Sequence, residues 1–199
     1  MGAVMKILAI TLAATAIGAL SIALISKRSS AVERVVTIEG SFDVYPTFKE
    51  AEKESPLIVV GNLRGDFEKA RFFKATEESG MPYAEREIFV TKVLKNRLPN
   101  RVRPGDKLKF LEPAAIMDDA EGKRTLYQLG DYIGVKKAGG PLLFFLTASG
   151  FSGNFSLTNM NLSRIPMGQV PLEHYYSNKF EEKRALGILE DARLAGLLK

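Results

Sequence analysis

The sequence of 199 residues contains no cysteine, no tryptophan and one histidine, His174. The absence of cysteine excludes a disulfide framework, thiolate metal sites and an N-terminal lipid anchor attached to cysteine. Histidine is the usual base for a serine or threonine nucleophile. His174 follows Pro171 in a predicted connector, where we interpret it as a surface or packing residue.

Recognisable catalytic motifs are also lacking. Neither the phosphate loop nor the dinucleotide-binding fingerprint is present, and a hairpin turn explains Gly139 and Gly140 after two lysines. The serines of "TASGFSGNF" do not match the pattern of a nucleophile elbow. Asp118, Asp119 and Glu121 do not have the spacing of a calcium loop and are predicted to form a solvated hairpin tip. We therefore expect no catalytic residue, no metal and no cofactor.

The excess of positive charge has a local source. The chain has 28 Lys and Arg against 23 Asp and Glu, a net charge of +5. Lys6, Lys27 and Arg28 flank an apolar run near the N-terminus, and without them 25 basic residues face 23 acidic ones. Binding of nucleic acid requires a concentrated basic face. We therefore expect no nucleic-acid partner.

The apolar run extends from Ile7 to Ser26, 20 residues without a charge. A helix of this length spans about 30 Å, the thickness of the hydrocarbon core of a bilayer. The run shows no polar stripe of the kind that a soluble amphipathic helix has. We predict an uncleaved single-span anchor; a cleaved signal peptide is the alternative, because small residues suited to cleavage occur inside and after the run.

The charges on either side of this run leave its orientation open. Lys27, Arg28 and Arg34 favour a cytoplasmic domain by the positive-inside rule. A short N-terminal tail followed directly by an apolar run is, however, typical of signal-anchors and export signals. We expect the domain to lie outside the cytoplasmic membrane, with a cytoplasm-facing domain as the alternative.

Strand patterns dominate the rest of the chain. "PLIVVGNLRGDFE" is a buried run in which Gly61 indicates a bulge or a bend. "AEREIFVTKVLKN" and "KLKFLEP" alternate, and "TLYQLGDYI" and "PLLFFLTAS" are apolar. Two short strands follow in "GNFSLTNMNLSRIPMGQV". About six or seven strands, separated by turn signals, predict a compact barrel or sandwich.

Two helices are predicted around this β-rich region. "YPTFKEAEKESP" is a short helix that stops before Pro56. Near the C-terminus, Asn178 and Glu181 have the spacing of a capping box. One face of the helix that follows carries Ala185, Ile188, Leu189, Ala192 and Gly196. We predict that this helix packs on the barrel; presentation to a partner is the alternative.

The stretches "SPLIVVGNLRG", "REIFVTKVLKN", "PGDKLKFLEP", "GGPLLFFL" and "GNFSLTNMNLSRIPMGQV" follow one another in this order. Together they resemble small OB-like barrel domains of uncharacterised, membrane-anchored or secreted proteins of Gram-positive bacteria. The resemblance covers roughly Tyr45 to Val170. It implies an OB-like barrel at the cell envelope and carries no catalytic residues.

Aromatic residues are the candidates for binding. Barrels of this type bind ligands through one curved sheet face and the loops at its rim. Phe72, Phe73 and Tyr83 lie in a polar region from Glu68 to Ala84, which is predicted to be a loop long enough to be functional. We name these three aromatic residues as candidate partner-binding residues. The alternative is that Phe72 and Phe73 pack back onto the barrel.

The sequence thus predicts a mainly β (α+β) protein in four segments. These are a signal-anchor helix (1–28), a juxtamembrane linker or edge strand (29–44), an OB-like barrel (45–176) and a C-terminal helix (177–199). The expected function is a membrane-tethered, extracytoplasmic binding or accessory module that acts through protein contacts at the envelope. No small-molecule substrate is identifiable. A cell-envelope hydrolase with carboxylate chemistry and a cytoplasm-facing adaptor are the alternatives.

Overall fold

The computed structural model describes residues 31–40, 42–136, 139–150 and 154–198. The predicted anchor between Ile7 and Ser26 lies outside these residues. Within the described part of the chain, no helix combines the length and apolar character needed to cross a membrane. Residues Val32–Lys199 form one folded unit.

This unit is mainly β, and its described residues form ten strands and two α-helices. The strands are β1 (Arg34–Ile38), β2 (Leu57–Leu63), β3 (Arg71–Phe73), β4 (Tyr83–Asn96), β5 (Lys107–Glu112), β6 (Ala114–Asp118), β7 (Arg124–Leu129), β8 (Pro141–Ala148), β9 (Phe155–Leu157) and β10 (Arg164–Pro166). The helices are α1 (Phe48–Glu54) and α2 (Lys179–Leu194). Short 3₁₀ turns occur at Phe67–Lys69, Met160–Ser163 and Leu172–His174.

Five of the strands close into a barrel. Strand β2 pairs antiparallel with β4 and β8, and β4 pairs antiparallel with β5. Strand β9 closes the barrel by pairing parallel with β5 and antiparallel with β8. Strands β3 and β10 extend this sheet beside β4 and β8. The barrel therefore has five strands, fewer than the six or seven expected, because several of the strands lie outside the closed ring.

The predicted irregularity at Gly61 is confirmed. The register between β2 and β4 shifts between Val60 and Gly61. A Cβ atom on Gly61 would lie 2.5 Å from the Cγ2 atom of Ile88 and 2.8 Å from the main-chain oxygen of Phe89. Glycine is therefore required here by the close approach of the neighbouring strand.

Strand β8 is apolar without alternation because it is covered on both faces. Residues 142–146 are all buried. Phe144 contacts the ring of Phe110 from β5 edge to face, and Phe145 contacts the ring of Phe48 from α1 in the same way. One side of β8 thus faces the barrel interior, and the other side faces the layer formed by the helices.

The N-terminal cap of α2 is the predicted residue, whereas the cap of α1 was not predicted. Thr47 caps α1, and Glu50 completes a capping box with it. Asn178 caps α2 by accepting a hydrogen bond from the main-chain N–H of Glu181. The predicted capping box of α2 is incomplete, because the Glu181 carboxylate accepts hydrogen bonds from Ser177 instead. The packed face of α2 consists of Ala185, Ile188, Leu189 and Ala192.

A second, three-stranded sheet has the order β1–β7–β6. Strand β1 lies within the segment predicted as a linker or edge strand, and it is an outer strand parallel to β7. The hairpin of β6 and β7 is tied by Asp119, which accepts hydrogen bonds from the main-chain N–H groups of Glu121 and Lys123. Along the chain, this hairpin lies between β5 and β8, the third and fourth strands of the barrel.

Candidate functional site

The three candidate aromatic residues lie on β3 and at the start of β4. The region from Glu68 to Ala84, predicted as a loop, contains β3, which pairs Phe72 with Ala84 and Phe73 with Tyr83. Successive side chains of a strand point to opposite faces. The structure therefore separates Phe72 from Phe73 and brings Phe73 together with Tyr83.

Phe72 packs inward. Its ring contacts Phe67 edge to face, with 5.5 Å between the ring centroids. It belongs to a small apolar cluster that also includes Ala84, Ala114 and Tyr132. The side chain thus holds β3 against the three-stranded sheet, as the alternative for this residue stated.

Phe73 and Tyr83 form a stacked pair on the opposite face. Their rings are nearly parallel, at an angle of 11°, and their centroids are 4.9 Å apart. The guanidinium of Arg71 lies 4.7 Å from the centroid of the Phe73 ring. Arg71 is exposed, and the two rings are half-buried. We call Arg71, Phe73 and Tyr83 the aromatic platform.

Charged side chains lie on the same face further along β4 and β5, and Arg64 reaches them from the end of β2. Lys109 is 3.0 Å from Glu85, and Arg64 is 2.8 Å from Glu87. The hydrogen bond from Arg64 holds the pKa of the Glu87 carboxyl below its usual value. Lys107 is exposed opposite Phe89. We call Arg64, Glu85, Glu87, Lys107 and Lys109 the charged strip.

An apolar cleft adjoins the aromatic platform. Its volume is about 200 Å³. The lining residues are Ser79, Met81, Tyr83, Leu111, Glu112, Pro113, Ser156, Leu157 and Met160. Pockets for drug-sized molecules occupy about 300–1,000 Å³. The cleft is therefore suited to a single side chain or a small group.

Local hydrogen bonds fix one wall of this cleft. The Ser79 hydroxyl donates to the main-chain oxygen of Met81, 3.0 Å away, and accepts from the N–H of Thr76. Gly80 has a φ of 65°, which the turn requires between these residues. On the opposite wall Met160 has a φ of 45°, the one non-glycine positive φ among the described residues. The turn that carries Ser79 and Met81 is thus fixed by its own hydrogen bonds.

One end of the barrel holds a buried ion cluster that the sequence analysis missed. Glu112 is fully buried, with its Oε2 atom 3.3 Å from Arg86 and its Oε1 atom 3.8 Å from Arg164. The guanidinium of Arg164 stacks over Tyr132, 4.4 Å from the ring centroid. Two cations thus share one carboxylate inside the fold.

Main-chain carbonyl groups supply further acceptors for the two arginines. Arg86 donates to the oxygens of Val135 and Gly65, and Arg164 donates to the oxygen of Ile133. Burial raises the pKa of the Tyr132 hydroxyl well above its usual value, which keeps it neutral. The cluster therefore ties residues 131–135 into the barrel. It is closed to solvent, and we interpret it as structural.

Strand alternation carries a signal for this cluster. Arg86 stands between Ala84 and Ile88 on the inward face of β4. Glu112 follows Leu108 and Phe110 on the inward face of β5. A charged residue on an otherwise apolar face indicates a buried ion pair, because an unpaired charge at such a position would be very costly.

The remaining candidates have structural roles. Asp119 accepts hydrogen bonds within its hairpin, which lower its pKa. The main-chain N–H of His174 donates to Pro171, and its oxygen accepts from Lys136. Gly140 has a φ of 73° in the turn before β8. No group of three or more acidic or histidine side chains in the described parts of the chain could hold a metal ion.

In the described parts of the chain, hydrogen bonds lower the pKa of two carboxyl groups, those of Glu87 and Asp119. A hydrolase of the carboxylate class requires a general acid with a raised pKa. A lowered pKa is the opposite of what such an acid requires, so neither Glu87 nor Asp119 is suited to that role.

Arg71 and the cleft residues Leu111 and Met160 were not predicted from the sequence either. Arg71 is two positions before Phe73, so strand alternation places both side chains on one face once β3 is known.

Comparison with known proteins adds no relative: no protein-family model matches the chain, and no curated protein matches it.

Proposed function

We propose that this chain is a membrane-tethered binding module that acts through protein contacts, with the aromatic platform as its contact surface. The observation that carries this proposal is the stacked pair of Phe73 and Tyr83, which Arg71 flanks, on the outer surface of the barrel. Aromatic and arginine side chains dominate the energy of protein interfaces. Rings that are already stacked lose little conformational freedom on binding.

The position of the platform supports the proposal. We propose that the barrel is OB-like: its first strand, β2, meets the second and the fourth, and its third strand, β5, is parallel to the fifth. Barrels of the OB class carry their ligand site, which in known cases binds oligonucleotides or oligosaccharides, on the face of the second and third strands and the adjoining loops. Tyr83 and the charged strip occupy this face of β4 and β5.

The tether completes the proposal. The 20 uncharged residues from Ile7 to Ser26 have the length of a membrane span, and the chain resembles envelope proteins of Gram-positive bacteria. A module held at a membrane meets partners in the same membrane at a high effective concentration. Weak contacts at the platform are then sufficient. We propose the extracytoplasmic side as the location of the folded unit.

Site-specific photocrosslinking tests this function. A photoreactive phenylalanine analogue replaces Phe89, which is exposed beside Lys107 on the charged strip, in the full-length chain in its native membrane. We expect a protein adduct that disappears when Phe73 and Tyr83 are both changed to Ala. A photoreactive residue at Leu186, exposed on α2, is the matched control and should not give this adduct. An adduct that survives the double change would contradict a contact through the platform.

The side of the membrane is tested separately. A C-terminal tag on the full-length chain is exposed to external protease in intact protoplasts. Loss of the tag is the result expected for an extracytoplasmic domain. Protection of the tag in intact protoplasts, with cleavage after lysis, would favour the cytoplasm-facing adaptor.

A further inference from the structure

We propose that the partner presents an extended acidic segment with one bulky apolar side chain, which enters the cleft beside Tyr83. This inference rests on the proposed function and specifies its partner. The acidic side chains of the segment would meet Arg71 and Lys107. Three features of the described residues lead to this chemistry: the charge of the face, the size of the cleft and the length of the surface.

The face has an excess of positive charge. The platform and the charged strip together contain the cations Arg64, Arg71, Lys107 and Lys109 and the carboxylates Glu85 and Glu87. Two of the cations are held by the two carboxylates. Arg71 pairs across the strands with Glu85, and Lys107 lowers the pKa of Glu87 through space, but neither cation forms an ion pair with the described residues. Four cations against two carboxylates give this face a net charge of +2, which is available to a ligand. Complementary charge steers association and selects partners by sign.

The cleft is suited to an anchoring side chain. Its walls include Met81, Tyr83, Leu111, Leu157 and Met160, and its volume is about 200 Å³. Methionine side chains adapt to apolar groups of different shapes. Burial of a leucine side chain contributes about 1.5–3 kcal/mol, which corresponds to roughly tenfold or more in affinity. One inserted side chain can therefore dominate recognition.

The length of the face favours an extended segment. Tyr83 borders the cleft, and Phe89 pairs with Lys107 at the other end of the charged strip. These two positions are six residues apart on β4, which corresponds to about 20 Å. An extended segment of about six residues therefore reaches from the cleft to Lys107. The side chains of Arg71 and Lys107 are far enough apart to bind two separate carboxylates.

Fluorescence anisotropy with the full-length chain in mild detergent tests the inference. The probe is a fluorescein-labelled peptide of ten residues, composed of Glu and Ser with one central Leu. We expect saturable binding that weakens about tenfold when the central Leu is Ala. Binding should also weaken as salt is raised, because the charges on this face are exposed. A peptide with Lys in place of Glu should not bind.

Variants of the protein assign these effects to residues. Arg71→Glu should weaken peptide binding at least tenfold. The matched control is Lys53→Glu, at an exposed position of α1, which should leave peptide binding unchanged. Met81→Phe fills the cleft and should remove the difference between the Leu and Ala peptides. The Arg71→Glu and Met81→Phe variants should both unfold at the same denaturant concentration as the unmodified chain.

Three outcomes would overturn the inference. Equal binding of the Leu and Ala peptides would exclude an anchor in the cleft. Tighter binding of a 12-nucleotide thymidylate strand than of the Leu peptide would assign the face to nucleic acid. Absence of binding by every peptide would refute the acidic segment. The adduct at Phe89 is independent of these peptides, so it would still test whether the platform contacts a protein.

Discussion

Neutralisation of Glu112 should destabilise the protein more than any surface substitution. Glu112→Gln preserves the shape of the side chain but removes the one negative charge between Arg86 and Arg164. The side chains of all three residues are at most 1% exposed. Arginine does not lose its proton in proteins. The variant therefore leaves two guanidinium groups buried without a counter-ion.

The structure sets the size of this effect. Removing one partner of a buried ion pair costs about 3–5 kcal/mol. Arg86 and Arg164 keep their hydrogen bonds to main-chain oxygens, which offset part of the loss. We therefore expect a decrease of about 3–4 kcal/mol in the free energy of unfolding. This is a large fraction of the stability of about 5–15 kcal/mol of a typical domain.

Urea denaturation of the full-length chain in mild detergent measures the change. The chain has no tryptophan, so tyrosine fluorescence and circular dichroism are the intrinsic probes. With a slope of about 2 kcal/mol per molar urea, the midpoint should fall by about 1.5–2 M. Glu121→Gln, at an exposed ion pair in the β6–β7 hairpin, is the control and should leave the midpoint unchanged. A loss below about 1 kcal/mol for Glu112→Gln would mean that the cluster is hydrated, which would refute the reasoning.

Three further predictions follow from individual contacts. Phe72→Ala should lower the free energy of unfolding by about 2 kcal/mol, because Phe72 packs in a core cluster but is partly exposed. Phe73→Ala should leave the unfolding midpoint nearly unchanged and abolish the photocrosslink. Equal losses of stability would contradict the position of the two rings on opposite faces. Gly61→Ala should lower the free energy of unfolding by about 1–3 kcal/mol, since the added Cβ atom meets a main-chain oxygen of the neighbouring strand. Gly187→Ala in α2 has open space around it and should be neutral or stabilising in the same denaturation experiment. The lowered pKa of Asp119 stabilises the folded state above pH 3.8, the usual pKa of this group, and this contribution is lost as the pH falls through the folded-state pKa. Asp119→Asn should therefore reduce the dependence of the free energy of unfolding on pH below about 4. An unchanged slope would refute this.

Local patterns predicted much of the fold. The alternation in "AEREIFVTKVLKN" and "KLKFLEP" corresponds to β4 and β5, and the irregularity at Gly61 is where the register shifts. The cap of α2, Asn178, is the residue that the sequence indicated, and α1 ends before Pro56 as predicted. These features depend on neighbours along the chain, which is why a single sequence was sufficient to predict them.

The remaining features depend on distant contacts. Strand β3 is three residues long and carries two phenylalanines between polar residues, so its alternation is too short to distinguish it from a loop. Closure of the barrel depends on the parallel pairing of Phe110 with Phe155, which no local pattern encodes. The sequence alone groups Phe72 with Phe73, because only the pairing of β3 with β4 places their side chains on opposite faces.

The parallel pairing of β1 has a consequence for biosynthesis. Arg34 pairs with Thr125, 91 positions later in the chain. At a synthesis rate of roughly 5–20 residues per second, β1 emerges about 5–20 s before its partner exists. During that interval Val35, Val36 and Ile38 are available for incorrect pairing with other nascent chains. Ribosomal pausing before β7 would prolong this interval, and faster translation of residues 39–123 would shorten it.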